Sequence, residues 1–248
     1  MRIAVAGATG NIGRLTIAAL EAAGHQTAQI SRSAGVDAYA GSGLVGALAG
    51  ADALIDVTNN PVQNEAEIVD FFGTVTRNLL AAEEKAGVRH HVLLSIVGIE
   101  HNRRTPHYAG KREQERLVVG GPVPWTIVRA TQFHDFAAMV AGWAQQDGTA
   151  TIAPLLVQPI APADVAAILA DVALAAPLGY RLEIAGPQTE DLVDMARRTF
   201  TARGQEIKLI PTWRGSFGPD MAGEALLPGD GARLGPTSFE DWLAAGAR

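Results

Sequence analysis

Three glycines near the amino terminus have the spacing of a phosphate-binding turn. Gly7, Gly10 and Gly13 follow the pattern G-x-x-G-x-x-G between a short apolar run and a segment with helical periodicity. The first glycine permits a tight turn, the second lets the backbone approach a pyrophosphate, and the third lets helix and strand pack closely. The helix N-terminus adds unpaired N–H groups and a partial positive charge. A glycine turn that binds nothing is the less favoured alternative, because the motif lies within a βαβ pattern. We expect a dinucleotide to contact Gly7, Thr9, Gly10, Asn11, Ile12 and Gly13.

The residues that follow the second predicted strand indicate which dinucleotide. Sites for NAD usually place Asp or Glu there to hold the ribose 2′-hydroxyl, whereas sites for NADP offer a cation. Here the strand ends in Ile30-Ser31-Arg32-Ser33, without an acid. Arg32 can pair with a 2′-phosphate, and Ser31 and Ser33 can donate further hydrogen bonds. We expect NADP(H) as the cofactor; a solvated loop arginine is the alternative.

Strands and helices alternate over the first 130 residues, which predicts a parallel sheet. Apolar runs predict the strands, and apolar residues at helical spacing between start and stop signals predict the helices. The predicted strands are 3–6, 27–30, a short one near Val36, 53–57, 91–96 and 125–129. The predicted helices are one from Ile12 to the stop at Gly24, then 44–48, 64–87 and about 108–119.

Beyond about residue 131 the alternation weakens. The pattern predicts a helix over 136–145, a short strand near Thr151, a helix over 163–174 and a strand over 180–184, followed by loop around short helices. The fold class is therefore α/β, a doubly wound parallel sheet of Rossmann type. We expect one domain over residues 1–248, to which the residues from about 131 onward contribute a small substrate-side cap.

Composition narrows the function classes. A net charge of −6 provides no basic surface for nucleic acid, and the absence of cysteine excludes disulfides, thiolate catalysis and cysteine-bound metal. His90, His91 and His101 lack a carboxylate at ligand spacing, so we expect no metal site and interpret His90-His91 as a surface pair. With no secretory signal and no apolar run of membrane length, we expect a cytoplasmic protein without a membrane partner.

The chain resembles the atypical short-chain dehydrogenase/reductases, and within them the NmrA-like NAD(P)-binding proteins. The resemblance spans roughly residues 1 to 190. It rests on the glycine loop, Arg32, Ser95-Ile96-Val97-Gly98, the 106–111 segment and Arg129-Ala130-Thr131-Gln132-Phe133. It implies NADP(H) laid across the carboxyl ends of the strands, with a substrate cleft between the sheet and the cap.

The resemblance also implies roles for particular residues. Thr58 and Asn59 match the loop that lies along the adenine ribose. Ser95 matches the serine that hydrogen-bonds a substrate carbonyl, and Lys111 the lysine that binds the nicotinamide ribose and supports the catalytic tyrosine. The loop after the strand at 125–129 reaches the carboxamide and the substrate in this fold. We therefore expect substrate contacts from Gln132 and His134, while Phe133 is either a substrate contact or part of the core.

The sequence departs from the family at the catalytic tyrosine. Active members carry Tyr-x-x-x-Lys, but here His107 stands four residues before Lys111 and Tyr108 only three. On a helix that offset turns a side chain by about 100°, so both cannot face the nicotinamide. An unperturbed histidine has a pKa of about 6.5, which suits acid–base catalysis near neutrality. His107 is therefore either the proton donor or an idle loop residue. Tyr108 is either the proton donor or a core aromatic. Arg103-Arg104, with Lys111-Arg112, forms a basic cluster that attracts anions or is simply solvated.

Three functions remain open at this point. The leading one is an NADPH-dependent reductase of a small carbonyl or quinone-like substrate, with Ser95, Lys111 and His107 or Tyr108 as catalytic residues. The second is a non-catalytic NADP(H)-binding redox sensor that reports to a protein partner. The third is an epimerase or isomerase with a tightly held cofactor. A homodimer is compatible with each of them.

Overall fold

The computed structural model describes residues 1–102, 105–214 and 217–246. Arg103 and Arg104 of the expected basic cluster lie outside these residues. The chain divides into two compact units. Unit 1 comprises residues 1–96, 106–129 and 162–182, and unit 2 comprises 97–105, 130–161 and 183–248. The single domain with a cap from about residue 131 stays a prediction.

The fold is a doubly wound α/β arrangement around a seven-stranded sheet, as the sequence predicts. The strands are β1 Arg2–Ala6, β2 Gln26–Ile30, β3 Ala53–Asp56, β4 His91–Ile96, β5 Trp125–Ala130, β6 Gln145–Gln146, β7 Thr149–Ile152, β8 Leu156–Val157, β9 Arg181–Ala185, β10 Glu190–Asp191, β11 Lys208–Pro211 and β12 Arg233–Leu234. The order in the large sheet is β12-β9-β5-β4-β3-β1-β2, and β1 pairs in parallel with both β2 and β3. Two smaller sheets have the orders β10-β8 and β11-β7-β6.

The helices of the described chain are α1 Asn11–Ala22, α2 Leu44–Leu48, α3 Glu65–Ala86, α4 Pro106–Val119, α5 Phe136–Trp143, α6 Pro162–Leu174, α7 Leu192–Ala202 and α8 Phe239–Ala244. Those of unit 1 form two groups: α1 packs with α6, while α3 packs with both α2 and α4. A sheet that is covered by helices on both faces has strands with apolar residues on both faces. Ile3, Val5, Leu54 and Ile55 are accordingly fully buried.

The strand predicted near Val36 is wrong. A 3-10 turn over Arg32–Ala34 ends at Gly35, whose φ of +75° takes the chain out of the extended conformation. Val36 is buried nonetheless, against the cluster that contains Leu44 and Leu48. A single apolar residue that is buried at a turn leaves the same pattern in the sequence as one residue of a short strand.

The prediction of a surface pair at His90 and His91 is also wrong. His90 is 2% exposed and His91 is fully buried. His90 hydrogen-bonds Thr126 at 2.9 Å, and His91 Nδ1 donates to the Glu83 carboxylate at 2.9 Å. Adjacent residues of a strand point in opposite directions, but here both histidines are buried and each has a polar partner inside the protein.

Unit 2 has its own core. Helices α5 and α7 pack together, α5 also contacts β7, and β12 pairs with β9 through Arg233–Ile184. Leu155, Leu192, Met195 and Leu226 are fully buried there. Among the described residues, no helix of either unit has the length and apolarity that crossing a membrane requires.

Candidate active site

The glycine turn of unit 1 is a cradle in which side chains do not fit. Gly7 has a φ of +84°, and a Cβ on it would lie 2.7 Å from the Val57 carbonyl oxygen. A Cβ on Gly13 would lie 2.2 Å from the oxygen of Gly7, closer than any real contact. A Cβ on Gly10 would meet only the Gly7 oxygen, at 3.2 Å. Two glycines are therefore required by packing, and the third leaves the turn open to a ligand.

The first turn of α1 is arranged to receive an anion. Its N-cap is Gly10, no side chain caps it, and its first turn contains no acid. Asn11 is exposed, whereas the Ile12 side chain is buried and can offer only its backbone. A twelve-residue helix with open N–H groups at its start binds phosphate through hydrogen bonds and its dipole. The cradle thus fits a pyrophosphate.

A cleft of about 590 Å³ lies beside this turn, within unit 1. Arg32 and Ser33 are exposed and Ser31 is half-buried, with the two serine hydroxyls 3.1 Å apart. The other walls of the cleft carry apolar and amide side chains, together with the carboxylates of Asp37, Glu67 and Asp70. The residues that line it are Gly7, Thr9, Ile30, Ser31, Arg32, Val36, Asp37, Ala38, Tyr39, Thr58, Asn59, Asn60, Pro61, Val62, Glu67, Asp70, Phe71 and Val75.

Lys111 is a buried ammonium on α4. Its Nζ donates to the Leu94 carbonyl at 3.0 Å and to Gln114 Oε1 at 2.9 Å, and it lies 4.8 Å from the centre of the Phe72 ring. Burial lowers the pKa of Lys111 to about 8, against the charges of Asp56 and Glu115, which raise it. A lysine in this range remains mostly charged at pH 7 and can still release a proton.

His107 and Lys111, both on α4, contact the same Phe72 ring. The His107 ring lies edge-on to the same Phe72 ring, with 5.5 Å between centroids. Burial, and secondarily the charge of Lys111, lower the pKa of His107 to about 4, so the ring is neutral at pH 7. Tyr108 is only 6% exposed. It is His107 that occupies the position four residues before the lysine.

Ser95 belongs to a buried ionic network. Its hydroxyl donates to Glu115 Oε1 at 2.6 Å. Glu115 also accepts from Arg129 at 2.9 and 2.8 Å and from Arg181 at 2.8 Å. Burial alone would raise the pKa of Glu115, but the bonds from Arg129, Arg181 and Ser95 outweigh it and the pKa is lowered. The Ser95 hydrogen is thus committed to a carboxylate, and its contact with a substrate stays a prediction.

The sequence analysis assigned no role to Glu115, Arg129, Gln114 or Asp56. The signal was present in part: Glu115 follows Lys111 by four residues, which places two charges on one helix face. Asp56 stands at the end of an apolar strand, where a carboxylate is costly unless it is bonded. Nothing local, however, shows that α4 turns this face inward.

Two of the three expected substrate residues lie in well-packed surroundings of unit 2. His134 Nε2 donates to the Thr237 carbonyl at 3.1 Å, and its ring lies 5.5 Å from those of Phe239 and Trp242. Phe133 is half-buried and pairs with Ile160. Gln132 differs: it is 6% exposed, and neither atom of its amide has a hydrogen-bond partner among the described residues. Buried amides are normally bonded, so Gln132 is the strongest ligand candidate of the three.

Comparisons with known proteins agree with this geometry. The model of a family described as NAD(P)H-binding matches residues 7–176. A reductase from Streptomyces griseus, (4-alkanoyl-5-oxo-2,5-dihydrofuran-3-yl)methyl phosphate reductase, is 30% identical over 269 aligned positions, covering 99% of this chain and 86% of that protein.

Solved structures share the fold. The dTDP-4-dehydrorhamnose reductase of Bacillus anthracis, in complex with NADP, has a TM-score of 0.77 at 14% identity, covering 100% of this chain and 99% of that one. The NADPH-dependent quinone oxidoreductase of Escherichia coli, in complex with NADPH, has a TM-score of 0.72 at 18% identity, covering 99% of this chain and 100% of that one. Because the family model covers more than half of the chain and includes the glycine cradle, this protein belongs to the NAD(P)H-binding family.

Proposed function

We propose that the protein is an NADPH-dependent reductase of a small carbonyl or quinone-like compound. The observation that carries this proposal is Lys111, a buried ammonium held by two hydrogen bonds and with a pKa of about 8. A protein that only senses a dinucleotide has no need of a buried proton source. Perturbed pKa values of this kind concentrate at catalytic sites.

In the proposed mechanism, side chains of the protein supply the proton that the reduction requires. A bound NADPH supplies a hydride to the acceptor. Lys111, charged at pH 7, provides the proton for the oxygen that gains negative charge. His107 lies one helical turn away and is neutral; a neutral imidazole accepts a proton at one nitrogen while it donates from the other. We assign it the relay between Lys111 and the substrate, because the tyrosine of the family pattern is absent at this position.

The cofactor preference belongs to the same proposal. Arg32 is exposed at the cleft, with Ser31 and Ser33 beside it. These residues provide a cation and two hydroxyls at the point where the second strand ends, which favours a 2′-phosphate over a 2′-hydroxyl. For the substrate, the 30% identical relative is named for reducing an alkanoyl-substituted unsaturated lactone. We include that class with the carbonyls and quinones.

The decisive experiment measures NADPH consumption with a panel of aldehydes, ketones, quinones and alkanoyl lactones. We expect turnover with at least one class. In a Lys111→Met variant, kcat should fall by about 100-fold or more, the usual contribution of acid–base catalysis. Lys85→Met, at an exposed lysine of α3, is the matched control and should leave kcat unchanged. NADPH that binds but is consumed with no acceptor would contradict the proposal.

One observation favours a second candidate, a non-catalytic sensor. With a pKa of about 4, His107 is not an imidazolium at neutral pH and cannot serve as a general acid by itself. If the panel gives no turnover while NADPH binds tightly, the sensor becomes the better function. The sensor function would then be tested by asking whether a partner protein binds with one redox state of the dinucleotide and not with the other.

A further inference from the structure

A buried carboxylate and a buried amide connect Lys111 to the cofactor cleft. Asp56, at the end of β3, is fully buried, as is Gln114 on α4. Gln114 Nε2 donates to Asp56 Oδ2 at 2.7 Å, while Gln114 Oε1 accepts from Lys111 at 2.9 Å. Asp56 Oδ1 accepts from the Thr58 backbone N–H at 2.9 Å. The bonds therefore run without a break from Thr58, which lines the cleft, to the Lys111 ammonium.

The orientation of the amide is fixed by its two partners. An ammonium only donates and a carboxylate only accepts, so Gln114 must direct its oxygen to Lys111 and its nitrogen to Asp56. A fully buried carboxylate is costly unless its oxygens are bonded, and here both are. The strand could have placed an apolar residue at this position without that cost. Its presence calls for a role beyond packing.

We propose that Asp56 and Gln114 are positioning residues for Lys111, which hold its ammonium charged and in place and link it to the loop at Thr58. The proposal rests on the proposed function, in which Lys111 supplies the proton. Asp56 contributes the charge and Gln114 the hydrogen bond. Neither residue contacts the substrate in this scheme.

The other charged groups around Lys111 are accounted for among the described residues. On its own helix, Glu115 raises the pKa of Lys111, and Lys111 lowers that of His107. From α3, the uncharged Phe72 ring contacts Lys111. On β4, Lys111 contacts the Leu94 carbonyl, and the charge of Asp56 raises the pKa of His91. Glu115 is already bonded to Arg129 and Arg181, which leaves Asp56 as the carboxylate whose bonds lead to Lys111.

The test follows the titration of Lys111 itself. The chain has three lysines, Lys85, Lys111 and Lys208, so lysine labelled with ¹³C at Cε gives three NMR signals. The Lys111 signal is assigned by its loss in Lys111→Arg. We expect Asp56→Asn to lower the Lys111 midpoint by about one pH unit or more, the usual effect of losing a nearby opposite charge. Gln114→Met, of similar size, should lower it as well by removing the acceptor.

The control variant is Glu113→Gln. It removes a surface carboxylate from the same helix and should leave the midpoint of the Lys111 titration unchanged, because Glu113 pairs with Arg116. Midpoints within about 0.3 unit of wild type in both Asp56→Asn and Gln114→Met would overturn the proposal. Gln114→Met alone decides the question if Asp56→Asn does not fold.

The titration is measured without substrate, so it is independent of the reductase proposal. In an active enzyme, the alkaline limb of the kcat/KM profile should move down with the Lys111 midpoint. A shifted midpoint in a protein without turnover would support the positioning role and contradict only the reductase.

Discussion

Arg32 and Lys111 are the two cations on which the proposed cofactor and proton roles depend, and their environments differ. Arg32 is exposed, so its charge costs no desolvation and its fork remains available to an anion. Lys111 is 5% exposed, and its charge persists because carbonyl, amide and nearby carboxylates compensate for burial. Arg32 is therefore available for contacts with a ligand, whereas burial lowers the pKa of Lys111.

Replacing Arg32 by alanine should remove the preference for the 2′-phosphate. A charge-assisted hydrogen bond contributes about 1.5–3 kcal/mol, so the Kd for NADPH should rise by about 10- to 100-fold. The Kd for NADH should change by no more than about twofold. Fluorescence titration with each dinucleotide measures both. Arg89→Ala, at an arginine paired with Asp52, is the control; equal weakening of NADPH and NADH by Arg32→Ala would contradict the assignment.

At the scale of elements, a buried pair attaches α3 to β4. His91 Nδ1 lies 2.9 Å from Glu83 Oε2, and both side chains are fully buried. Burial alone would lower the pKa of His91, but the charge and hydrogen bond of Glu83, with a smaller effect of Asp56, raise it above its ordinary value. Breaking such a pair leaves an unpaired group in the interior, which costs far more than losing a surface ion pair.

Replacing Glu83 by glutamine should lower the free energy of unfolding by about 3 kcal/mol. Because the folded pKa of His91 is raised, its stabilisation is complete below the unfolded value of about 6.5 and is lost as the pH rises through the folded pKa. The loss of unfolding free energy caused by Glu83→Gln, measured by urea unfolding, should therefore be larger near pH 6 than near pH 9. Glu84→Gln, at the exposed neighbouring glutamate, should cost less than about 0.5 kcal/mol. A pH-independent cost would show that the His91 charge is not involved.

At the scale of the whole molecule, cofactor binding and folding are linked. The cradle, the cleft and Lys111 all lie in unit 1 and are built from segments between residues 7 and 111. A ligand that binds only the folded form must raise the free energy of unfolding. The chain has a net charge of −6, so attraction of an anionic dinucleotide depends on local groups such as the α1 N-terminus and Arg32.

Saturation with NADPH should raise the melting temperature. At about 100 times its Kd, the ligand adds about 2.7 kcal/mol. For a chain of this size that corresponds to about 5–10 °C. The same concentration of NADH should give a smaller shift, and the difference between the two should vanish in Arg32→Ala. Calorimetry measures these shifts, and equal effects of NADH and NADPH on the wild type would contradict an NADP(H) preference.

The sequence by itself determined the parts that are local along the chain. The glycine turn, the strand before it and the helix after it lie within residues 2–22, and their backbone requirements are met by the residues in place. The strand His91–Ile96 and the long helix α3 were also predicted closely, since buried strands and amphipathic helices leave periodic patterns. Arg32 could be placed beside the cleft because the end of the second strand has a fixed place relative to the glycine turn, and its contact with the cofactor stays a prediction.

Only the tertiary structure decided which side chains of the site are bonded to one another. Asp56 and Gln114 are 58 residues apart, and Glu115 and Arg181 are 66 residues apart. Their pairing depends on which face of α4 turns inward and on how the strands are ordered. The burial of His91 and the lowered pKa values of Lys111 and His107 have the same origin. A local pattern fixes backbone geometry, whereas desolvation and long-range hydrogen bonds exist only after the elements have packed.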